Sequence, residues 1–265
     1  LKALGKYLLG LAMLVLVLAA LVWFLPVRWV MPWIAPRLHD VRLQQLSGSV
    51  WDGRAGQVVK ADGKMLGSLH WQLSHRALFG QLRGQLEFHG ALGDFSGALQ
   101  RLPHDRLEWH DVTARLDLSA LPQQELPSFG SPRGQVQLDV VHALLQGGWP
   151  MQLDGHLTWQ QAAIRSAAGD VALGNLAADL QAQNGIVHVQ WHDDATGPLQ
   201  TTGQMQLSTL GWRLDANMRA RQPDPRLQHW LAQWGAPDAD GNIHVQRGGG
   251  LAGSITASPR DDTSP

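Results

Sequence analysis

Twelve histidines and no cysteine set the metal chemistry open to this chain of 265 residues. His188 and His192 have the HxxxH spacing that brings two imidazoles onto one zinc ion when it lies on a helix. Here it falls in a stretch that alternates apolar and polar residues as a strand does. Four residues at about 3.3 Å each would hold the rings roughly 13 Å apart, too far to share an ion. Asp193 and Asp194 follow as a turn. His70 with His75, and His104 with His110, have no acidic or histidine partner at ligand spacing, so they read as solvated strand-face histidines and no metal site is expected. Glutamate occurs only at Glu87, Glu108 and Glu125, and no spacing pairs one with an aspartate for two-carboxylate hydrolysis. Nucleophile elbow, phosphate loop and HExxH stretch are all missing. The lack of cysteine removes thiol catalysis, disulfide frameworks, Cys-based zinc sites and iron–sulfur clusters. The expectation is a protein with no catalytic residues and no cofactor, not an enzyme; a site assembled from residues distant in sequence would escape it.

Charge narrows the class further. With 21 Lys plus Arg against 22 Asp plus Glu, the formal charge is −1, a poor footprint for neutralising nucleic-acid phosphates. Charged residues make up 16 % of the chain, below the roughly 25 % usual for soluble domains. The hydrophobic share of 44 % argues against wholesale disorder. The length suffices for one large domain or two ordinary ones with a real core. Two excesses need a physical cause, the 12 Trp beside a single Tyr and the 29 Gly.

Among the elements that must position these residues, the first supplies a location. Tyr7 to Leu25 is uncharged, and at about 1.5 Å per helical residue it reaches roughly the 30 Å of a bilayer core. Lys2 and Lys6 precede it, and Trp23, Trp29 and Trp33 gather at its far end, where amphipathic rings favour the interface. The basic flank predicts a cytoplasmic amino terminus, although Arg28 weakens the asymmetry. A cleaved signal peptide is the competing possibility, opposed by the length of the apolar run and the weak Leu18-Ala19-Ala20 site. Pro26, Pro32 and Pro36 end the helix. The expected organisation is a cytoplasmic tail at 1–6, an anchor at 7–25, a Pro/Trp-rich linker at 26–40, a periplasmic domain at 41–251 and a mobile tail at 252–265.

Period-two alternation dominates the remainder, as in Gln81 to Gly90, with Leu82, Leu86 and Phe88 on one face and Arg83, Gln85, Glu87 and His89 on the other. It recurs around Leu69–Leu73, Val112–Leu118, Val136–Val140, Leu153–Trp159, Leu176–Leu180, Val187–Trp191, Met205–Leu207, Trp212–Met218 and Ile243–Val245. One face wet and one buried predicts an all-β domain of about ten or more antiparallel amphipathic strands, in a curved meander or a sandwich. A Gly-led pattern at Gly67, Gly84, Gly134, Gly155, Gly203 and Gly241 suggests glycine turns opening the strands. Its Trp-bearing copies at Gly67 and Gly155 suggest two similar halves, 41–121 and 133–251, separated by Pro122, Pro127 and Pro132. One short helix is predicted within 224–235. Asp224 caps it, Pro225 suits its first turn, Gly235 stops it, and Leu227, Trp230, Leu231 and Trp234 form a stripe that covers the sheet. Trp51, Trp71, Trp159, Trp191, Trp212, Trp230 and Trp234 are expected on buried faces.

Two stretches are more specific than composition. One is Leu46-Ser47-Gly48-Ser49-Val50-Trp51-Asp52-Gly53-Arg54-Ala55. The other runs from Gly197-Pro198-Leu199 through Gly203, Leu210-Gly211, the helix, Gly235-Ala236-Pro237-Asp238 and Gly241 to Gly250-Leu251. Behind one amino-terminal anchor, this ordered combination resembles the type II secretion system protein N family, also called general secretion pathway protein N. Gly48, Ser49, Val50, Trp51 and Gly53 match the family's Gly-small-Val-Trp-x-Gly element. The resemblance implies a single-pass inner-membrane protein whose periplasmic β domain works, without catalysis, by contacts with other secretion proteins. An inner-membrane platform subunit and the outer-membrane secretin are both candidate partners, and no nucleic acid is expected. The alternative is a lipid-binding or lipid-conducting envelope protein. The Gly-led meanders are also similar to those of AsmA-like and TamB-like proteins, in which a curved sheet leaves an apolar groove.

Overall fold

The computed structural model describes residues 13, 23–35, 40–121, 130–166 and 169–250. The expected anchor at 7–25 lies outside them except for Met13 and residues 23–25, and the tails at 1–6 and 252–265 lie wholly outside. No helix among the described residues is long and apolar enough to cross a membrane.

The protein is all-β with two short helices. Helix α1 (Val27–Ile34) precedes β1 (Val41–Gly48), β2 (Asp52–Lys60), β3 (Met65–Leu73), β4 (Arg83–Gly90), β5 (Gly93–Leu102), β6 (Arg106–Asp117), β7 (Ser131–Gln146), β8 (Trp149–Ser166), β9 (Gly169–Gln183), β10 (Ile186–Asp193), β11 (Leu199–Ser208) and β12 (Gly211–Ala220). Helix α2 (Pro225–Leu231) and β13 (Ile243–Gly250) complete it. Strand order in the sheet equals chain order from β1 to β13, so of the two expected connectivities the chain adopts the meander. Each of the ten predicted alternating segments lies within or overlaps a strand. Three further strands, β1, β2 and β5, had no such signal.

Turn chemistry explains why neighbours pair. Gln146 and Trp149 face each other across Gly147-Gly148, and Gln183 and Ile186 across Asn184-Gly185. All four turn residues have positive φ, the two-residue turn whose twist matches that of antiparallel strands. The chain divides into two compact units, residues 1–91 with 98–101, and residues 92–97 with 102–265. The Pro-rich segment expected to separate two halves falls within the second, and residues 122–129 of it are outside the described set.

In the second unit the alternation sorts the sheet into two faces. On one, in-register partners form polar rows, such as Thr113, Asp139, His156, Asp179, Gln190, Gln204, Asp215 and Gln246 across β6 to β13. Cross-strand hydrogen bonds tie regions of this face together, including His156 Nδ1 to Asp179 at 2.8 Å and the Gln246 amide donating to Asp215 at 3.0 Å. The other face is apolar. Ile164, Val171, Leu173, Leu199, Ala216, Ile243 and Val245 form one buried cluster with α2, and Val112, Val140 and Ala143 a second, beside Phe95 and Trp109. In the first unit the buried apolar side chains among the described residues are fewer: Val27, Trp51, Ala55 and Val58.

The glycine and tryptophan excesses share a cause at several positions, and it differs from the expectation in two ways. Only Gly241 stands before a strand start; Gly67, Gly84, Gly134, Gly155 and Gly203 lie inside β3, β4, β7, β8 and β11. Several in-strand glycines leave room for a neighbour's indole. Gly53 faces Trp71, Gly203 faces Trp191 and Gly249 faces Trp212 in register. At each, an added Cβ would meet the partner's indole at under 3.0 Å. The ring lies across the bare backbone, covering what glycine cannot. Full burial is therefore not the rule. Trp51 and Trp230 are buried and Trp71, Trp159, Trp191 and Trp234 half-buried, but Trp212, expected inside, is 40 % exposed on β12 because it lies over Gly249 of the terminal strand.

Candidate functional site

Residues 48–53 join β1 to β2, and each has an identifiable task. Gly48 has φ +84°, and a Cβ there would strike the Asp52 carbonyl. Ser49 closes the turn: its N–H donates to the Asp52 carbonyl at 2.8 Å, and its Oγ accepts from the N–H groups of Trp51 and Asp52 at 3.2 and 3.0 Å, the competition with regular backbone bonding that makes serine a turn former. Val50 works through its backbone. Its N–H donates to the Leu25 carbonyl at 2.9 Å, and its carbonyl accepts from Trp71 Nε1 at 3.1 Å. Trp51 is 8 % exposed, and its carbonyl accepts from the Leu73 N–H at 2.6 Å. Gly53 makes space for the Trp71 ring.

The turn grips the segment that emerges from the expected anchor. Pro26 bridges to Ser49, and Arg28 Nε donates to the Leu46 carbonyl at 3.0 Å. A stack of rings extends the grip, with His75 lying 3.9 Å from Trp23 and 4.7 Å from Trp51 between ring centroids. The His75 Nε2 atom is buried without a hydrogen-bond partner among the described residues. Phe24, Trp29 and Trp33 stay outside, 73 %, 63 % and 78 % exposed.

The predicted helix forms as α2. Asp224 caps it, its carboxylate accepting from Arg226 and Leu227 N–H groups, as an N-cap does. Leu227 is fully buried, Trp230 and Leu231 nearly so, and Trp234 packs against the same cluster, edge-on to Trp230 at 5.8 Å. The stripe covers the apolar sheet face.

The Gly197-Pro198-Leu199 turn is held by charge. The Asp193 side chain is 5 % exposed and pairs with Arg221. Burial opposes its ionisation, but the N–H groups of Thr201 and Ala195 and the Arg221 guanidinium hold it below the ordinary carboxylate value. Beside it, Asp194 is drawn down to about 2 by the Thr196 N–H, the Asn175 amide and the Thr196 hydroxyl. Gly197 lies close enough to Gly174 that a Cβ on either would meet the other's Cα at 2.6 Å.

The histidines depart from expectation. His188 and His192 do lie on a strand, β10. Yet His70 approaches Asp52 at 3.1 Å and Glu87 at 3.6 Å. His110 lies 3.5 Å from Glu108 and faces His142, whose Nε2 is 2.9 Å from the same carboxylate. Glu108 and His110 share β6 two residues apart, whereas His142 and the partners of His70 come from neighbouring strands, which spacing along the chain cannot reveal. The hydrogen bond from His142 is the main reason Glu108 titrates below its usual range. On the same polar face, Gln190, Gln204, Gln206, Arg213, Asp215 and Gln246 help wall an open trough of ≈ 530 Å³ across β10 to β13.

Residues 39–246 match the family described as type II secretion system (T2SS), protein N. The chain is also 26 % identical over 217 residues to the type II secretion system protein N of Vibrio cholerae serotype O1 (strain ATCC 39315 / El Tor Inaba N16961), covering 77 % of this chain and 76 % of that protein. No solved structure matches it.

Proposed function

The chain belongs to the type II secretion system protein N family, a structural component of type II secretion, and on that premise we propose that it is a non-catalytic subunit anchored in the inner membrane. Its β-rich region then lies in the periplasm and acts by protein contacts in the export of folded proteins. The observation that carries this reading is the grip of the 48–53 turn on residues 25–28. It ties the first strands to a segment that follows an apolar run and exposes Phe24, Trp29 and Trp33, residues suited to a membrane interface. Other secretion-system proteins are the partners, either a platform subunit or the secretin. The outer edges of β1 and β13, the first and last strands of the sheet, offer main-chain groups for strand addition. The lipid-conducting alternative gains no support from the family.

Alkaline extraction and protease accessibility test the reading. The full chain should stay in the membrane pellet after carbonate treatment, and added protease should digest the β-rich region only once the outer membrane is permeabilised. Release by carbonate, or protection in intact spheroplasts, would overturn the anchoring and the orientation. Photocrosslinking from the exposed Gln85 and Gln206 then identifies the partner; adducts with lipid alone would favour the alternative.

A further inference from the structure

Glu108 and His110 lie two residues apart on β6 and so project to one side of the strand. His142 on β7 stands opposite His110 in register, close enough for side chains to meet across the pair. The imidazole Nε2 atoms lie 2.9 Å (His142) and 3.5 Å (His110) from the two Glu108 oxygens, and the ring centroids are 5.1 Å apart. One ligand atom from each of the three residues falls within 4.8 Å of the others.

The backbone departs from regular alternation at the same place. Asp111 has φ +50°, and the pairing of β6 with β7 passes from His110↔His142 to Val112↔Val140. Asp111 and Val141 are exposed, whereas Val112 and Val140 belong to the core. Trp109 and Ala143 pack in that same core. A strictly alternating strand would place Trp109 and Val112 on opposite faces. The irregularity changes the face and leaves both imidazoles beside the carboxylate on the wet side, the kind of re-aiming that strand irregularities provide. Asp154 of β8 is paired in register with His142, one strand beyond the group of three.

We propose that Glu108, His110 and His142 form a site for a divalent metal ion of the zinc class. Two imidazoles and a carboxylate suit that ion, which binds nitrogen at about 2.0–2.1 Å and carboxylate oxygen at about 2.0–2.2 Å. Tetrahedral ligation puts ligand atoms roughly 3.3 Å apart, so the three side chains need only small torsional changes on a fixed backbone. Three protein donors leave a coordination position for water or for a donor from another molecule. The ion cross-links β6 to β7 on the face away from the core.

Titration calorimetry of the purified, detergent-solubilised full chain with zinc chloride tests this, with Co²⁺ absorption reporting geometry. The expected result is one tight site per chain, with strong visible Co²⁺ bands displaced by zinc. Affinity should fall about tenfold or more in Glu108→Gln, and further in the double variant His110→Ala/His142→Ala. His156→Ala, which breaks a histidine–aspartate pair elsewhere on the same face, should leave it unchanged. Melting temperatures without metal show that each variant is folded, and Glu108→Gln preserves side-chain size. Wild-type protein that takes up no zinc, or a double variant that binds as tightly as wild type, would overturn the proposal. So would a Co²⁺ complex with only the weak absorption of six-coordinate water-rich ligation.

Discussion

The 48–53 turn of the first unit and helix α2 of the second both bury tryptophan, but they hold it by different means. Around α2 the work is done by side chains: Leu227, Trp230 and Leu231 enter a cluster fed by five strands, β8, β9, β11, β12 and β13. Around Trp51 few apolar residues are buried. The turn is instead fastened by main-chain groups of Ser49, Val50 and Trp51 bonded to Leu25, Asp52, Leu73 and Trp71, with His75 stacked on the ring. Hydrophobic burial is non-directional, whereas a hydrogen bond fixes distance and angle. The helix therefore works by burial, and the turn adds to the burial of Trp51 a fixed position for the segment entering the domain.

Trp51→Ala should do the most damage to stability, about 3–5 kcal/mol for a buried aromatic. Hydrogen exchange should place the loss in β1–β4 and leave β8–β13 protected. Equal loss in both would erase the contrast. Leu227→Ala follows at about 3 kcal/mol, with the reverse pattern of protection. Gly203→Ala and Gly53→Ala come next. Each puts a Cβ into an indole, Trp191 or Trp71, and should cost roughly 1–3 kcal/mol with a shift in tryptophan fluorescence. An unshifted spectrum would mean that the ring does not rest on the glycine. Ser49→Ala removes an acceptor for two N–H groups and should cost about 0.5–1.5 kcal/mol, read by chemical denaturation. The smallest effect is seen only in acid. Asp194 has its pKa lowered from 3.8 to about 2, so its ionised form favours the fold. That contribution is complete above the unfolded value and is lost as pH falls through the folded one. Asp194→Asn should flatten the fall in melting temperature across that window; a parallel profile would assign acid sensitivity elsewhere, first to Asp193.

The elements legible in advance were those where periodicity is clean. Alternation located ten strands, and the Asp224 cap with the Leu227/Trp230/Leu231/Trp234 stripe located α2. Strand β1 was hidden because Gln45 adopts φ +54° opposite Gly56 and interrupts the alternation. In β2, Gly53, Ala55 and Gly56 give no large apolar residue to mark the inner face, and its register with β3 shifts after Ala55. Strand β5 carries Gly93, Ser96 and Gly97 where larger side chains would have signalled. The residues of the Gly48–Gly53 element could be named from the chain, but not their tasks, since these depend on Leu25 and Trp71. Glu108, His110 and His142 were out of reach for a different reason. Glu108 and His110 share one side of β6, but the approach of His142 requires the register of β6 against β7, strands separated by a segment that includes residues outside the described set.

The meander has a kinetic meaning. Each strand pairs only with the strands before and after it in the chain, so no partner has to be fetched from a distant stretch of the sequence. Short hairpins such as those at Gly147-Gly148 and Asn184-Gly185 close small loops, for which the entropy loss is modest and formation takes microseconds. Once one pair exists, its outer edge templates the next strand of the chain. Among the described residues the outer edge of β13 has no further strand beside it. The three consecutive glycines that end β13, Gly248 to Gly250, give that edge little side-chain surface for a further copy of the chain to pack against, while leaving its main-chain groups open to a partner strand.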